Sequence, residues 1–81
     1  MTYPQTAALT DLLERVDAGE CCTIPTPHPG AKDARFNKTA RIMGYCEHYV
    51  MMRHRLAAPF CMSRNDVMRH LRALIADTEG Q

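Results

Sequence analysis

The stretch RFNKTARIMGYCEHYVMMRHRLA, residues 35–57, decides the fold, because it is long enough for one long helix or two short ones. Its apolar and aromatic residues recur at helical spacing, in a stripe formed by Ile42, Tyr45, Cys46, Tyr49, Met52 and Leu56. That stripe favours a single helix, which Pro59 would end. Gly44 favours a break, because glycine in a helix interior costs about 1 kcal/mol relative to alanine. Both possibilities stay open, and both predict helix in this segment.

A break at Gly44 would make residues 36–55 a helix-turn-helix. The segment has a small residue, Ala40, where two helices would cross, a turn glycine four residues later, and β-branched Val50 six residues beyond that. In these positions it resembles the phage repressor and Cro class of DNA-binding proteins. The resemblance implies a recognition helix over residues 45–55 in the major groove. It also implies phosphate or base contacts by four basic side chains, Lys38, Arg41, Arg53 and Arg55.

The segments on either side also carry helical patterns. Upstream, four apolar residues fall on one stripe: Leu9, Leu12, Leu13 and Val16. Thr6 or Thr10 can cap the start of this helix, and Gly19 can end it. Downstream, Ser63 and Asp66 form a capping box ahead of a second stripe. That stripe consists of Val67, Leu71, Leu74 and Ile75, and Gly80 closes it.

Between the first helix and the central segment, residues 20–34 are predicted to be a loop. Pro25, Pro27 and Pro29 each remove a backbone donor and favour an extended, polyproline-like strut. Few β-branched residues alternate along the chain, so little or no sheet is expected. The predicted fold class is all-α: a single domain over residues 1–81, with three or four helices and a long Pro-rich loop after the first.

Charge is unevenly distributed along the chain. Residues 35–72 hold eight Lys or Arg against Glu47 and Asp66, whereas residues 1–34 hold five acids against two bases. Basic residues so weakly countered repel one another unless an anionic partner binds. We therefore predict a basic helical face that binds a protein or a nucleic acid. Its candidate residues are Arg35, Lys38, Arg41, Tyr45, His48, Tyr49, Arg53, Arg55, Arg69 and Arg72.

The cysteines and histidines raise the question of a metal or a catalytic site. They are Cys21, Cys22, His28, Cys46, His48, His54, Cys61 and His70. The sequence contains no C-x-x-C pair, H-E-x-x-H, G-x-S-x-G or Gly-rich phosphate loop. We therefore expect no enzyme and no cofactor, and keep a zinc-stabilised domain as a third hypothesis. The absence of a secretion signal or a long apolar stretch predicts reduced cysteines in a cytoplasm and no membrane partner.

Two further stretches carry a second resemblance. LTDLLERVDAGE, residues 9–20, and HLRALIADTEG, residues 70–80, resemble segments of small accessory proteins encoded by prophages of alphaproteobacteria. The resemblance implies a small non-enzymatic inhibitor of host machinery, such as an anti-CRISPR protein, or a small DNA-binding regulator. The expected function is thus a phage-type inhibitor of a host nucleic-acid-targeting defence complex, in the host cytoplasm. Its partner would be a host protein or ribonucleoprotein complex, DNA is a further possibility, and a homodimer is open. The alternative is a helix-turn-helix transcriptional regulator.

Overall fold

The computed structural model describes residues 4–25, 39–55 and 57–80, and within them two helices cover one face of a four-stranded antiparallel sheet. The elements are α1 (Pro4–Asp17), β1 (Thr23–Pro25), β2 (Thr39–Tyr45), β3 (Tyr49–Arg53), β4 (Phe60–Ser63) and α2 (Arg64–Glu79). The fold is α+β, so the predicted all-α bundle is wrong. The predicted helix-turn-helix is wrong as well, because β2 and β3 lie where its two helices were expected.

The central segment forms strands because its buried residues alternate with exposed ones. Ala40 and Ile42 on β2 are buried, as are Val50 and Met52 on β3, while the residues between them are exposed. A period of two is the pattern of a sheet with one face covered and the other open. The β-branched and aromatic residues of this segment also fit strands better than a helix.

A β-bulge hides this alternation in the sequence. The register between β2 and β3 shifts between Ile42 and Gly44, so Met43 is the extra residue of the bulge. The insertion turns Tyr45 onto the same face as its cross-strand partner, buried Val50. Because of the bulge, Ile42 and Tyr45 lie on the same face of the sheet although they are three residues apart. A separation of three residues is also the spacing of a helical stripe.

The sheet has the strand order β1-β2-β3-β4, and each strand is antiparallel to its neighbour. Helices α1 and α2 pack against each other on one side of it. Eight residues form the buried core: Val16, Ile24, Ala40, Ile42, Val50, Met52, Val67 and Leu71. The core thus joins one face of the sheet to the helix layer, as expected of a two-layer domain.

Both flanking helices are confirmed, and α1 ends as predicted. Gly19 has a positive φ of 81°. Its N–H donates to the carbonyl of Val16 at 3.0 Å, and the N–H of Glu20 donates to that of Arg15 at 2.9 Å. This is the Schellman arrangement, which needs a residue tolerant of left-handed backbone. The predicted cap at Thr6 or Thr10 is wrong, because α1 begins at Pro4 and both threonines lie inside it.

Helix α2 begins at the predicted cap. The hydroxyl of Ser63 accepts a hydrogen bond from the N–H of Asp66 at 3.0 Å. At the other end, the N–H of Gly80 donates to the carbonyl of Ala76 at 2.9 Å. Neither helix, within the residues described, is long and apolar enough to cross a membrane.

The segment predicted as a loop contains a strand. Thr23–Pro25 forms β1 and pairs with β2, with Ile24 opposite Ala40. Ile24 is fully buried, and this burial rather than local propensity explains the strand. The remainder of the predicted loop, residues 26–34, lies outside the described residues.

Candidate binding surface on the open face of the sheet

The sheet has a second face that neither helix covers. We call it the open face, and its residues are those that alternate with the buried ones along the strands. They are Thr23, Pro25, Thr39, Arg41, Met43, Gly44, Tyr49, Met51, Arg53, Cys61 and Ser63. The candidate surface is thus built by the same strands that build the core.

Three arginines meet at one end of the open face. Arg41 on β2 is directly opposite Arg53 on β3, and Arg55 follows β3. Together with Met43 and two threonines, they line an open depression of about 430 Å³. Like charges directly opposite each other on a sheet are destabilising. By this rule the Arg41–Arg53 pair does not stabilise the fold.

Within the described part of the chain, no carboxylate forms an ion pair with these arginines. Among the described residues, the ion pairs that form involve Arg15, His48 and Arg69, and none involves the three arginines of the depression. Arg53 donates from Nε to the carbonyl of Ala57 at 3.1 Å, which steadies the side chain while its terminal nitrogens remain available. The depression therefore carries an excess of positive charge within the described part of the chain.

The open face also carries exposed apolar side chains. In residues 4–25, 39–55 and 57–80, the large hydrophobic residues left exposed are Met43 at 48%, Tyr49 at 53% and Met51 at 39%. Tyr49, Met51 and Arg53 are spaced two residues apart along β3, so their side chains lie on the same face of the sheet. The open face thus has a positively charged end at the arginines. Next to it is an apolar strip, formed by Met51 and Tyr49, that runs towards the opposite end of β3.

The structure divides the predicted binding residues between two layers. It brings Arg41, Tyr49, Arg53 and Arg55 to the open face or its edge. His48 lies in the β2–β3 turn, where it is exposed beside Glu47 at 3.7 Å. Five residues remain: Arg69 and Arg72 lie on α2, Tyr45 lies on β2 against the core, and Arg35 and Lys38 lie outside the described residues.

The arginines of α2 belong to the helix layer. Arg69 pairs with Asp66 at 3.3 Å, one turn earlier on the same helix. Arg72 is exposed and lines a groove shared with Glu14 and Asp17 of α1. Their positive charge is therefore countered locally, and the single basic helical face that the sequence predicted does not form.

Tyr45, another of the predicted binding residues, makes several contacts within the chain. Its hydroxyl donates to the carbonyl of Glu20 at 2.6 Å, and the guanidinium of Arg64 lies 5.3 Å from the ring centre. Arg64 also donates to the carbonyl of Asp17 at 3.4 Å. Burial, reinforced by nearby Cys22, raises the pKa of Tyr45 to about 12. The pair therefore holds the end of α1 against the sheet.

The four cysteines are free thiols, and two of them, Cys21 and Cys22, are adjacent in the chain. Cys21, Cys46 and Cys61 are exposed, whereas burial raises the pKa of the half-buried Cys22 thiol. Within the described ranges, which omit His28, no three Cys, His, Asp or Glu side chains group so as to hold a metal.

Several members of the open face are not among the residues predicted from the sequence. They are uncharged, so charge counting does not select them, and only the period of two along the strands assigns them to a solvent-facing surface: Thr23, Thr39, Met43, Met51 and Cys61. Compared with protein-family models, curated proteins and solved structures, the chain finds no match.

Proposed function

We propose that this is a non-enzymatic binding protein whose open face holds single-stranded nucleic acid. The observation that carries the proposal is the meeting of Arg41, Arg53 and Arg55 around one depression beside an exposed apolar strip. A surface of this composition offers charge to a phosphate backbone and apolar area to unpaired bases.

The arginines favour a phosphate ligand. A guanidinium presents a planar fork of donors that matches phosphate oxygens in a two-pronged hydrogen bond. Two such groups lie opposite each other on adjacent strands, which are about 4.8 Å apart. A bound phosphate would turn the repulsion between Arg41 and Arg53 into two charge-assisted hydrogen bonds.

The apolar strip favours an unpaired strand over a duplex. A duplex keeps its bases stacked inside and presents mainly phosphates, so Tyr49 and Met51 would have little to contact. A single strand can splay its bases onto an exposed ring. Tyr, Met and Arg also occur together at protein interfaces, so an acidic protein surface is the rival occupant that the experiment must test.

Such binding fits the phage-type inhibitor that the resemblance of residues 9–20 and 70–80 to prophage accessory proteins implies. An inhibitor with a basic surface would act on the nucleic-acid component of a host defence complex, by covering the guide or target strand. The partner under this proposal is therefore a ribonucleoprotein complex, approached through its exposed strand.

Titration of a fluorescein-labelled single-stranded oligonucleotide of about fifteen nucleotides, read by anisotropy, tests the proposal. Replacing Arg41→Glu together with Arg53→Glu should weaken binding by at least about tenfold, because each arginine makes a charge-assisted bond. The matched control is Arg69→Glu with Arg72→Glu, which makes the same charge change on α2 and should have a much smaller effect. With three phosphates held, the logarithm of affinity should fall with the logarithm of salt with a slope of about −2.

Two outcomes would overturn the proposal. Equal losses in both double variants would mean that net charge, and not the open face, governs binding. Binding to poly-glutamate with none to the oligonucleotide would assign the face to an acidic protein. Circular dichroism of each variant establishes that it is folded.

A further inference from the structure

The two ends of β3 differ on the open face: Arg53 lies at one end and Tyr49 at the other. Residues two apart on a strand are separated by about 6.8 Å, so Arg53, Met51 and Tyr49 are spread over about 14 Å on one face. The Arg53 end contains the other two arginines of the depression. At the opposite end, Tyr49 is paired with Ser63 of β4, next to the β2–β3 turn.

The middle of the open face, around Met51, carries few bulky side chains. Met51 is flanked by Gly44 on β2 and Cys61 on β4. Among the described residues, a Cβ placed on Gly44 would meet no atom within 4 Å apart from those of its two chain neighbours. Gly44 has no positive φ, and the backbone therefore does not require glycine at this position. The gap beside Met51 leaves room for a flat ring to approach the sheet.

We infer that Tyr49 stacks on an unpaired base, that a neighbouring base lies over Met51 and Gly44, and that their backbone runs to the arginine depression. The inference rests on the proposed function and adds to it the part of the ligand that is recognised. The ligand class is then a strand with accessible bases, and the length of the open face along β3 suits a contact of two to three nucleotides. Stacking on a ring tolerates any base, so little sequence preference is expected.

The experiment compares two labelled probes of equal length and charge: a single-stranded oligothymidylate and the same deoxyribose-phosphate chain without bases. The wild-type protein should bind the oligothymidylate at least about fivefold more tightly, since stacking of one base on an aromatic residue contributes that much. Tyr49→Ala should remove the preference, Tyr49→Phe should keep it, and Gly44→Val should reduce it by filling the gap beside Met51. Arg41→Glu with Arg53→Glu should weaken both probes alike.

The outcomes separate this inference from the proposed function. If the wild-type protein binds both probes equally, the arginines hold phosphates but the bases are not recognised, and the inference falls alone. A preference that survives Tyr49→Ala in a folded variant also contradicts it. If neither probe binds, the proposed function and the inference fall together.

Discussion

The two faces of the sheet are made by alternate residues of the same strands, and they differ in burial and in charge. The covered face presents Ile42, Val50 and Met52, all fully buried against the helices. The open face presents Arg41, Met43 and their neighbours to solvent, among them two arginines in direct opposition. The covered face therefore contributes most of the stability of the sheet. The open face contributes little and carries the opposed arginines and the exposed apolar side chains.

Neighbouring methionines on β3 provide the strongest test of this difference. Met52→Ala removes a fully buried side chain and should destabilise the protein by about 2–5 kcal/mol. For a domain of this size that is a large part of the whole free energy of unfolding. Met51→Ala, one residue earlier on the open face, should change it by only about 0.5 kcal/mol. Urea denaturation followed by circular dichroism measures both.

Equal effects of the two substitutions would break the comparison. A large loss from Met51→Ala would mean that the open face is covered by another part of the chain or by a second copy. Repeating the denaturation over a range of protein concentrations distinguishes these, because only a second copy makes the midpoint depend on concentration.

The two tyrosines of the β2–β3 hairpin give a smaller effect that sharpens the same comparison. Tyr45 has a pKa of about 12, raised from an ordinary value of about 10 by burial on the covered face. A raised pKa means that the folded state favours the protonated phenol. Its contribution to stability is therefore complete below about pH 10 and is lost as the pH rises to about 12. Absorbance at alkaline pH should show a step near 12 that Tyr45→Phe removes.

A matched stability measurement completes this test. In Tyr45→Phe, the part of the alkaline stability loss that comes from this phenol should disappear, whereas in Tyr49→Phe it should remain. A Tyr45→Phe variant with the same alkaline titration and the same loss of stability as the wild type would contradict the assignment of Tyr45 to the covered face.

The helices could be predicted from the sequence because their signals are local. The Ser63 cap and the glycine ends at Gly19 and Gly80 depend on residues within one turn of each other. The strands could not, because the pairing that buries Ile24 and Ile42 joins residues far apart in the chain. The bulge at Met43 added a shift that made two strands imitate a helical stripe.

Three residues of the candidate site can be selected from the sequence for a reason independent of the fold. Few acids accompany Arg41, Arg53 and Arg55 in the sequence, and the structure brings these three together around one depression. Charge counting could not place them on a sheet, and it grouped them with Arg69 and Arg72, which belong to the other layer. Which arginines lie together depends on the topology of the sheet, so their grouping could not be read from the sequence.

Alkylation of Cys61 is the most direct test of the proposal that the open face binds single-stranded nucleic acid. Cys61 is exposed on β4 directly opposite Met51, whereas Cys21 is exposed before β1 and outside the open face. The rate of reaction with iodoacetamide is measured for both thiols by mass spectrometry, with and without a saturating single-stranded oligonucleotide. We expect the oligonucleotide to slow the alkylation of Cys61 severalfold and to leave that of Cys21 unchanged. An unchanged rate at Cys61 while the oligonucleotide is bound would place the binding surface elsewhere and contradict the account.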